Sequence, residues 1–176
     1  MSLLDLHLLG SPALRTPSTD VPAVDDGVRQ FIDDLYQTMD AAEGIGLAAN
    51  QVGDFRRIAV IAVDQQRLVM VNPVIRSPQG SAKAEEGCLS IPDLYADVTR
   101  PDRVVLEALD RNGQRYTLEA DGLLARAIQH EVDHLDGILF IDHLSPLKRR
   151  LMVSRWKKDR KGESSIKSFK AEEAGR

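Results

Sequence analysis

Gln129-His130-Glu131-Val132-Asp133-His134 decides how this chain is read. The pattern is H-E-x-x-H, set in a stretch with helical periodicity. On an α-helix, residues i and i+4 share a face, so His130 and His134 can close on one metal ion. Glu131 lies about 100° further round, near enough to meet a water beside that ion rather than the ion itself. The stretch lacks a third protein ligand, which the rest of the chain must supply.

The helix around this motif is expected from about Gly122 to Asp136, capped by Asp121 and stopped by Gly137. Leu123, Ala127, His130 and His134 share one face; Leu124, Ile128, Glu131 and Leu135 share the next. Three polar groups thus sit on surfaces that are otherwise apolar. Burying polar groups without partners is costly, which favours a role for them over chance. Phe140-Ile141 makes a short apolar link, and Ser145-Pro146 supplies the N-cap and first-turn proline of a last helix.

Upstream, residues 1–23 hold Pro12, Pro17 and Pro22 and read as an extended arm around the body. Val28, Phe31, Ile32, Leu35, Tyr36, Met39 and Ala42 recur at helical spacing. Asp25 or Asp26 caps that helix, and Gly44 stands where a left-handed terminator belongs. Residues 57–63 and 67–71 read as strands around a short turn, Asn72-Pro73 breaks the pattern, and another strand follows at Val74-Ile75. Residues 104–109 and 114–120 flank Asp110-Arg111-Asn112-Gly113, a hairpin signal. Residues 79–87 are small and polar and lead into Glu86-Gly87-Cys88-Leu89-Ser90. The order predicts an α+β fold, with antiparallel sheets packed around a central metal-binding helix and a C-terminal helix.

At 176 residues the chain fits one domain: a body over 1–147, with 148–176 a basic helix and flexible tail of the same domain. No apolar run is long enough to span a bilayer. The N-terminus lacks a basic region and is broken by Asp5, which argues against a secretory signal. The net charge of −4 conceals eight Lys/Arg against one acid between residues 148 and 161. Such a segment is either a solvated helix face or a dock for an anionic partner. A single cysteine, Cys88, allows no internal disulfide and suits a reducing compartment.

Gly44-Ile45-Gly46-Leu47-Ala48-Ala49-Asn50-Gln51 clusters small residues around an amide side chain. No G-x-x-G helix or Lys-Ser/Thr follows, so dinucleotide and P-loop phosphate sites are unsupported. For the third ligand, one protease class extends the motif to a His six residues on, where this chain has Phe140. A glutamate from a following helix is another solution, but Glu163, Glu172 and Glu173 lie in a polar tail. His143 sits beyond the helix stop, and His7 is remote in the arm. Cys88 is the better candidate, since thiolate and imidazole ligands share tetrahedral sites that leave a position for water.

Gly44–Gln51, Glu86–Ser90 and Gln129–Leu135, in this order and spacing, resemble the three signature motifs of the peptide deformylase family, over roughly residues 3–150. The resemblance implies that Cys88, His130 and His134 bind one divalent metal and that Glu131 is the acid/base. It further implies that Gln51 and the Leu89 backbone N–H stabilise the oxyanion. Ile45, Gly46, Gly87, Leu123 and Ala127 would form the substrate site, with Gly46 leaving room only for a formyl group. Arg126 occupies a position that is more often aliphatic in the family; its stem would line the pocket with its charge in solvent. Arg100 and Asp133 would pair behind the metal helix. The implied substrate is the N-formylmethionine end of nascent polypeptides. The implied ion is Fe2+, with Zn2+, Ni2+ or Co2+ as substitutes, and the implied setting is a bacterial cytoplasm. The basic segment 148–161 would then meet the ribosome, with Leu147, Leu151 and Trp156 anchoring its helix. Two rivals are an ordinary metallopeptidase, which needs the missing His or Glu, and a non-enzymatic ribosome-binding protein with a structural metal.

Overall fold

The computed structural model describes residues 2–169. In chain order the elements are β1 (Leu6–His7), α1 (Asp26–Ala41), β2 (Gly46–Ala48), β3 (Ile58–Val63), β4 (Gln66–Gln79), β5 (Ala82–Cys88), β6 (Ile91–Arg100), β7 (Arg103–Leu109), β8 (Arg115–Asp121), α2 (Gly122–Leu135), α3 (Pro146–Asp159) and β9 (Ile166–Lys167). Every strand pairing within these sheets is antiparallel. The largest sheet runs β2-β3-β4-β7-β8, while β5-β6 and β1-β9 are separate two-stranded ribbons. The α+β class with antiparallel sheets and a C-terminal helix is therefore as expected.

Helix α1 begins as its sequence dictates: the Asp25 carboxylate accepts the Val28 N–H at 2.8 Å. Its apolar stripe, Val28, Phe31, Ile32, Leu35 and Met39, packs with Leu47, Ile58 and Val60 on one face of the large sheet. Helix α2 covers the opposite face, where Ala125, Ile128, Val132 and Leu135 meet Ala59, Ile61, Met70 and Leu106. The sheet alternates accordingly, and β3 is buried nearly throughout because helices cover both sides.

Several local expectations need correction. Glu43, at φ 58°, takes the left-handed position after α1. Gly44 serves proximity instead, because a Cβ there would come within 2.5 Å of Leu89 Cδ1. Asp121 precedes α2 but makes no side-chain cap; Gly137, at φ 76°, does end that helix's last turn. Asn72-Pro73 does not end a strand. A bulge between Val71 and Val74 absorbs the proline, and Asn72 turns its amide onto both Val21 backbone groups at 2.8 and 3.0 Å. Residues 82–88 and 91–100, to which the sequence reading assigned no strand, form the β5-β6 ribbon. The two-residue Asp64-Gln65 loop turns with both φ positive, as a tight hairpin requires.

The C-terminal helix is held differently from expectation. Leu147 and Leu151 are 59% and 61% exposed. Met152, Val153 and Trp156 make the inward contacts, and the Trp156 indole N–H donates to the Pro92 carbonyl at 2.8 Å. Nor is the segment beyond Gly162 simply loose. Ile166 and Lys167 pair with β1, and Phe169 packs on the core beside α1. Glu172 and Glu173 lie outside the described residues. No helix among the described residues is long and apolar enough to cross a membrane.

Candidate active site

Helix α2 presents His130 and His134 one turn apart, and the end of β5 brings Cys88 against them. His134 Nε2 lies 3.2 Å from both Cys88 Sγ and His130 Nε2. Among the described residues, Cys88, His130 and His134 are the group whose ligand atoms all fall within 4.8 Å of one another. Neither alternative histidine joins them. His7 Nδ1 pairs with Ser11 Oγ at 2.7 Å, and His143 Nε2 pairs with Asp133 at 2.8 Å. Phe140 is buried and stacks on His130 at 6.1 Å between ring centroids.

The donor chemistry suits a divalent cation. Burial opposes charge on His130, yet hydrogen bonds to Cys88 and Glu86 push its pKa up to about 10. A field that favours a proton at this point also favours a metal ion. Burial and the neighbouring His130 hold His134 neutral, the form that ligates. Behind the ligands, His130 Nδ1 meets Glu86 Oε1 at 2.9 Å, which leaves Nε2 for a metal. The Asn50 amide bonds the His134 backbone carbonyl.

Glu131 points into the same space. It is 4% exposed, and its Oε2 has no hydrogen-bond partner among the described residues. Burial raises its pKa to about 7, a value suited to taking and returning a proton near neutrality. Gly46 makes room for it: a Cβ there would stand 2.5 Å from Glu131 Oε1. Gln51 is fixed at both ends of its amide. Its Oε1 accepts the Ala48 N–H at 2.9 Å, and its Nε2 donates to Ser90 Oγ at 3.1 Å and toward Cys88 Sγ at 3.7 Å. Leu89 follows Cys88 in the turn between β5 and β6.

A cleft of about 580 Å³ opens over these groups. Ile45, Gly46, Gln51, Gly87, Cys88, Leu89, Leu123, Ala127, His130 and Glu131 all line it, so the sequence-derived residues converge, with His134 buried just behind. Ile45 and Leu123 stand half exposed at its wall, apolar surface open to an incoming side chain. Glu86, Ser90 and Asn50 are site residues to which sequence reasoning gave no role. All three stand inside the quoted motifs, and that placement was their one signal in the sequence; their burial is seen only in the structure.

Arg126 departs from expectation. Its charge is not in solvent: the guanidinium is buried against Glu86 at 2.6 Å. Arg100 also grips Glu86, at 2.6 and 3.0 Å, and reaches Asp133 at 2.9 Å. Burial opposes ionisation of Glu86, but hydrogen bonds from His130 and Arg100 outweigh it and lower its pKa to about 2.

The sequence profile of the family described as Polypeptide deformylase matches residues 3–150. The chain belongs to that family. It is 46% identical over 164 residues to a peptide deformylase of Rhizobium meliloti, covering 90% of this chain and 94% of that protein. A Chromohalobacter salexigens peptide deformylase is 51% identical over 150 residues, 82% and 88% of the two chains. Among solved structures, peptide deformylase from Ehrlichia chaffeensis in complex with actinonin superposes with a TM-score of 0.87 at 37% identity, covering 92% of this chain and 99% of that one. The Synechococcus elongatus enzyme, also with actinonin, gives 0.82 at 45% identity and 86% of both chains. As a member of this family the chain is a hydrolase that removes the N-formyl group from the N-terminal formylmethionine of nascent polypeptides, releasing formate.

Proposed function

We propose that this deformylation is carried by Cys88, His130, His134, Glu131, Gln51 and Leu89. The reading rests chiefly on one observation, the convergence of one thiol and two imidazoles beside a buried, partnerless glutamate oxygen. Cys88 Sγ and the two Nε2 atoms would hold one divalent ion. When bound, that ion supplies Lewis acidity, lowering the pKa of water and polarising a carbonyl. Glu131 takes a proton from the attacking water, whose oxygen bonds to the formyl carbon. Gln51 Nε2–H and the Leu89 N–H donate to the oxyanion that develops there. As the C–N bond breaks, Glu131 returns the proton to the amine, leaving formate and a free N-terminus.

Ile45, Leu123 and Ala127 receive the methionine side chain, while Gly46 and Gly87 let the formyl end and peptide backbone approach closely. Family membership supports Fe2+ as resident ion, while the thiolate and imidazole donors themselves suit Zn2+, Ni2+ or Co2+ as well. The bacterial relatives support a bacterial cytoplasm as the setting. Residues 148–161 dock on ribosomal RNA. Arg149, Arg150 and Lys157 of α3 line a groove with Arg15, and the exposed Leu147 and Leu151 lie on the same helix. We read the catalytic body over 1–147 and the basic C-terminal helix and tail over 148–176 as parts of one domain, a reading supported by the packing of Trp156 and Phe169 on the core. Formate release from formyl-Met-Ala tests the assignment: the parent protein turns over, and Glu131→Ala does not. Undiminished release by Glu131→Ala would overturn it.

A further inference from the structure

The three candidate ligands come from two bodies. Helix α2 carries His130 and His134, whereas the β5-β6 ribbon carries Cys88 and pairs with no strand of the large sheet. Apart from the short turns to β4 and β7 and the Leu9 N–H bond to the Ser90 carbonyl, core contacts and polar side chains set how far Cys88 stands from the imidazoles. One side chain spans that gap at three points. From α2, Arg126 Nη1 donates to Glu86 Oε2 at 2.6 Å and to the Val98 carbonyl at 2.9 Å, and Nη2 donates to the Ala82 carbonyl at 2.9 Å. Ala82 and Glu86 belong to β5 and Val98 to β6, so both strands are gripped.

We propose that Arg126 is a positioning residue that clamps the Cys88 ribbon against the histidine helix and so holds the metal centre closed. The proposal rests on Cys88, His130 and His134 being the ligands. Arg100 reaches the opposite way, from β6 to Asp133 on α2, and Glu86 collects both guanidiniums while its Oε1 faces His130 Nδ1. At 9% exposure a guanidinium is tolerable only when its donors are satisfied, and a carboxylate with two backbone carbonyls does that. Removing the side chain leaves the buried Val98 carbonyl and the part-buried Ala82 carbonyl without this partner, and leaves Glu86 Oε2 to Arg100 alone. A lysine cannot replace it fully, since one ammonium does not reproduce the planar fork that spans both strands. Because Arg126 also lines the cleft, the competing account makes it only a pocket wall.

Cobalt-loaded parent, Arg126→Leu and Arg126→Lys proteins separate the two, first without substrate and then by turnover. Release of Co2+ to a chelator should be about 10–100-fold faster in Arg126→Leu, the usual cost of losing support behind a ligand. The thiolate-to-cobalt absorption should weaken with it, and Arg126→Lys should lie between. Turnover should fall in kcat on all formyl peptides alike. Release and absorption within twofold of the parent, or a change confined to KM for bulky first side chains, would overturn the proposal. Should Arg126→Leu not fold, parent-like release by Arg126→Lys is the overturning result. Failure of the parent to bind one Co2+ per chain would instead overturn the ligand set, a distinguishable failure.

Discussion

The role proposed for Glu131 depends on Gly46, whose missing Cβ leaves room for the buried carboxylate. Glu131→Gln keeps the shape and removes the proton acceptor, so formate release should fall by about 10²–10⁴-fold with metal content per chain unchanged. Gln51→Ala removes one preset donor and should lower kcat by about 10²–10³-fold, some 2.7–4 kcal/mol. Parallel metal analysis and steady-state kinetics check both; a variant that retains metal and full kcat contradicts the assigned role. At this scale the helical pair and its glutamate were legible because i and i+4 share a face, whatever the rest of the fold. Cys88 was legible through ligand chemistry and the company of its motif. Glu86 and the inward turn of Arg126 were not. Their partners lie 14 to 44 residues away across strands whose pairing no local pattern reveals.

Elements differ in how plainly their residues announce them. Helix α1 and the Asp110–Gly113 hairpin follow from a cap, a period and a turn, all local. The β5-β6 ribbon does not. β5 is largely exposed, and a bulge between Glu86 and Cys88 interrupts the pairing. Helix α3 shows the reverse problem, because its leucines face out while Met152, Val153 and Trp156 face in. Its outward basic residues should govern ribosome affinity. Replacing Lys148, Arg150, Arg155 and Lys158 with Glu should weaken salt-dependent ribosome binding and spare turnover of a dipeptide substrate. Co-sedimentation at two salt concentrations reads this out, and unchanged affinity would refute the docking role.

Asp142, just before α3, supplies a pH-dependent link. Burial would raise its pKa, but the Arg15 hydrogen bond, the Leu139 N–H and the charges of Arg15 and Arg149 lower it. A carboxyl with a depressed folded-state pKa adds stability above its unfolded value, and that stability disappears as pH falls through the folded value. Asp142→Asn, which retains an acceptor for Leu139, should therefore melt lower than the parent at pH 7. The gap should close as pH drops below the ordinary carboxylate range. Melting curves across pH decide it, and a gap that persists in acid would contradict the charge argument.

At the scale of the whole molecule, the sheet with a helix on each face is a rigid frame, and the site is assembled where α2 meets the separate Cys88 ribbon. Both ends of the described chain return to that region: β1 pairs with β9, and Leu6 and Lys167 line the cleft. The sequence suggested an arm and a polar tail, and could not show that they pair, because two-residue strands carry no periodicity. On the proposed reading this frame presets three donors that could hold one cation, and activity should follow that cation. Formate release from formyl-Met-Ala, measured with bound metal on the same samples, is the direct test. Chelation should abolish release, and stepwise return of Fe2+ under anaerobic conditions should restore it linearly up to one ion per chain. Full formate release from metal-free protein would contradict the account.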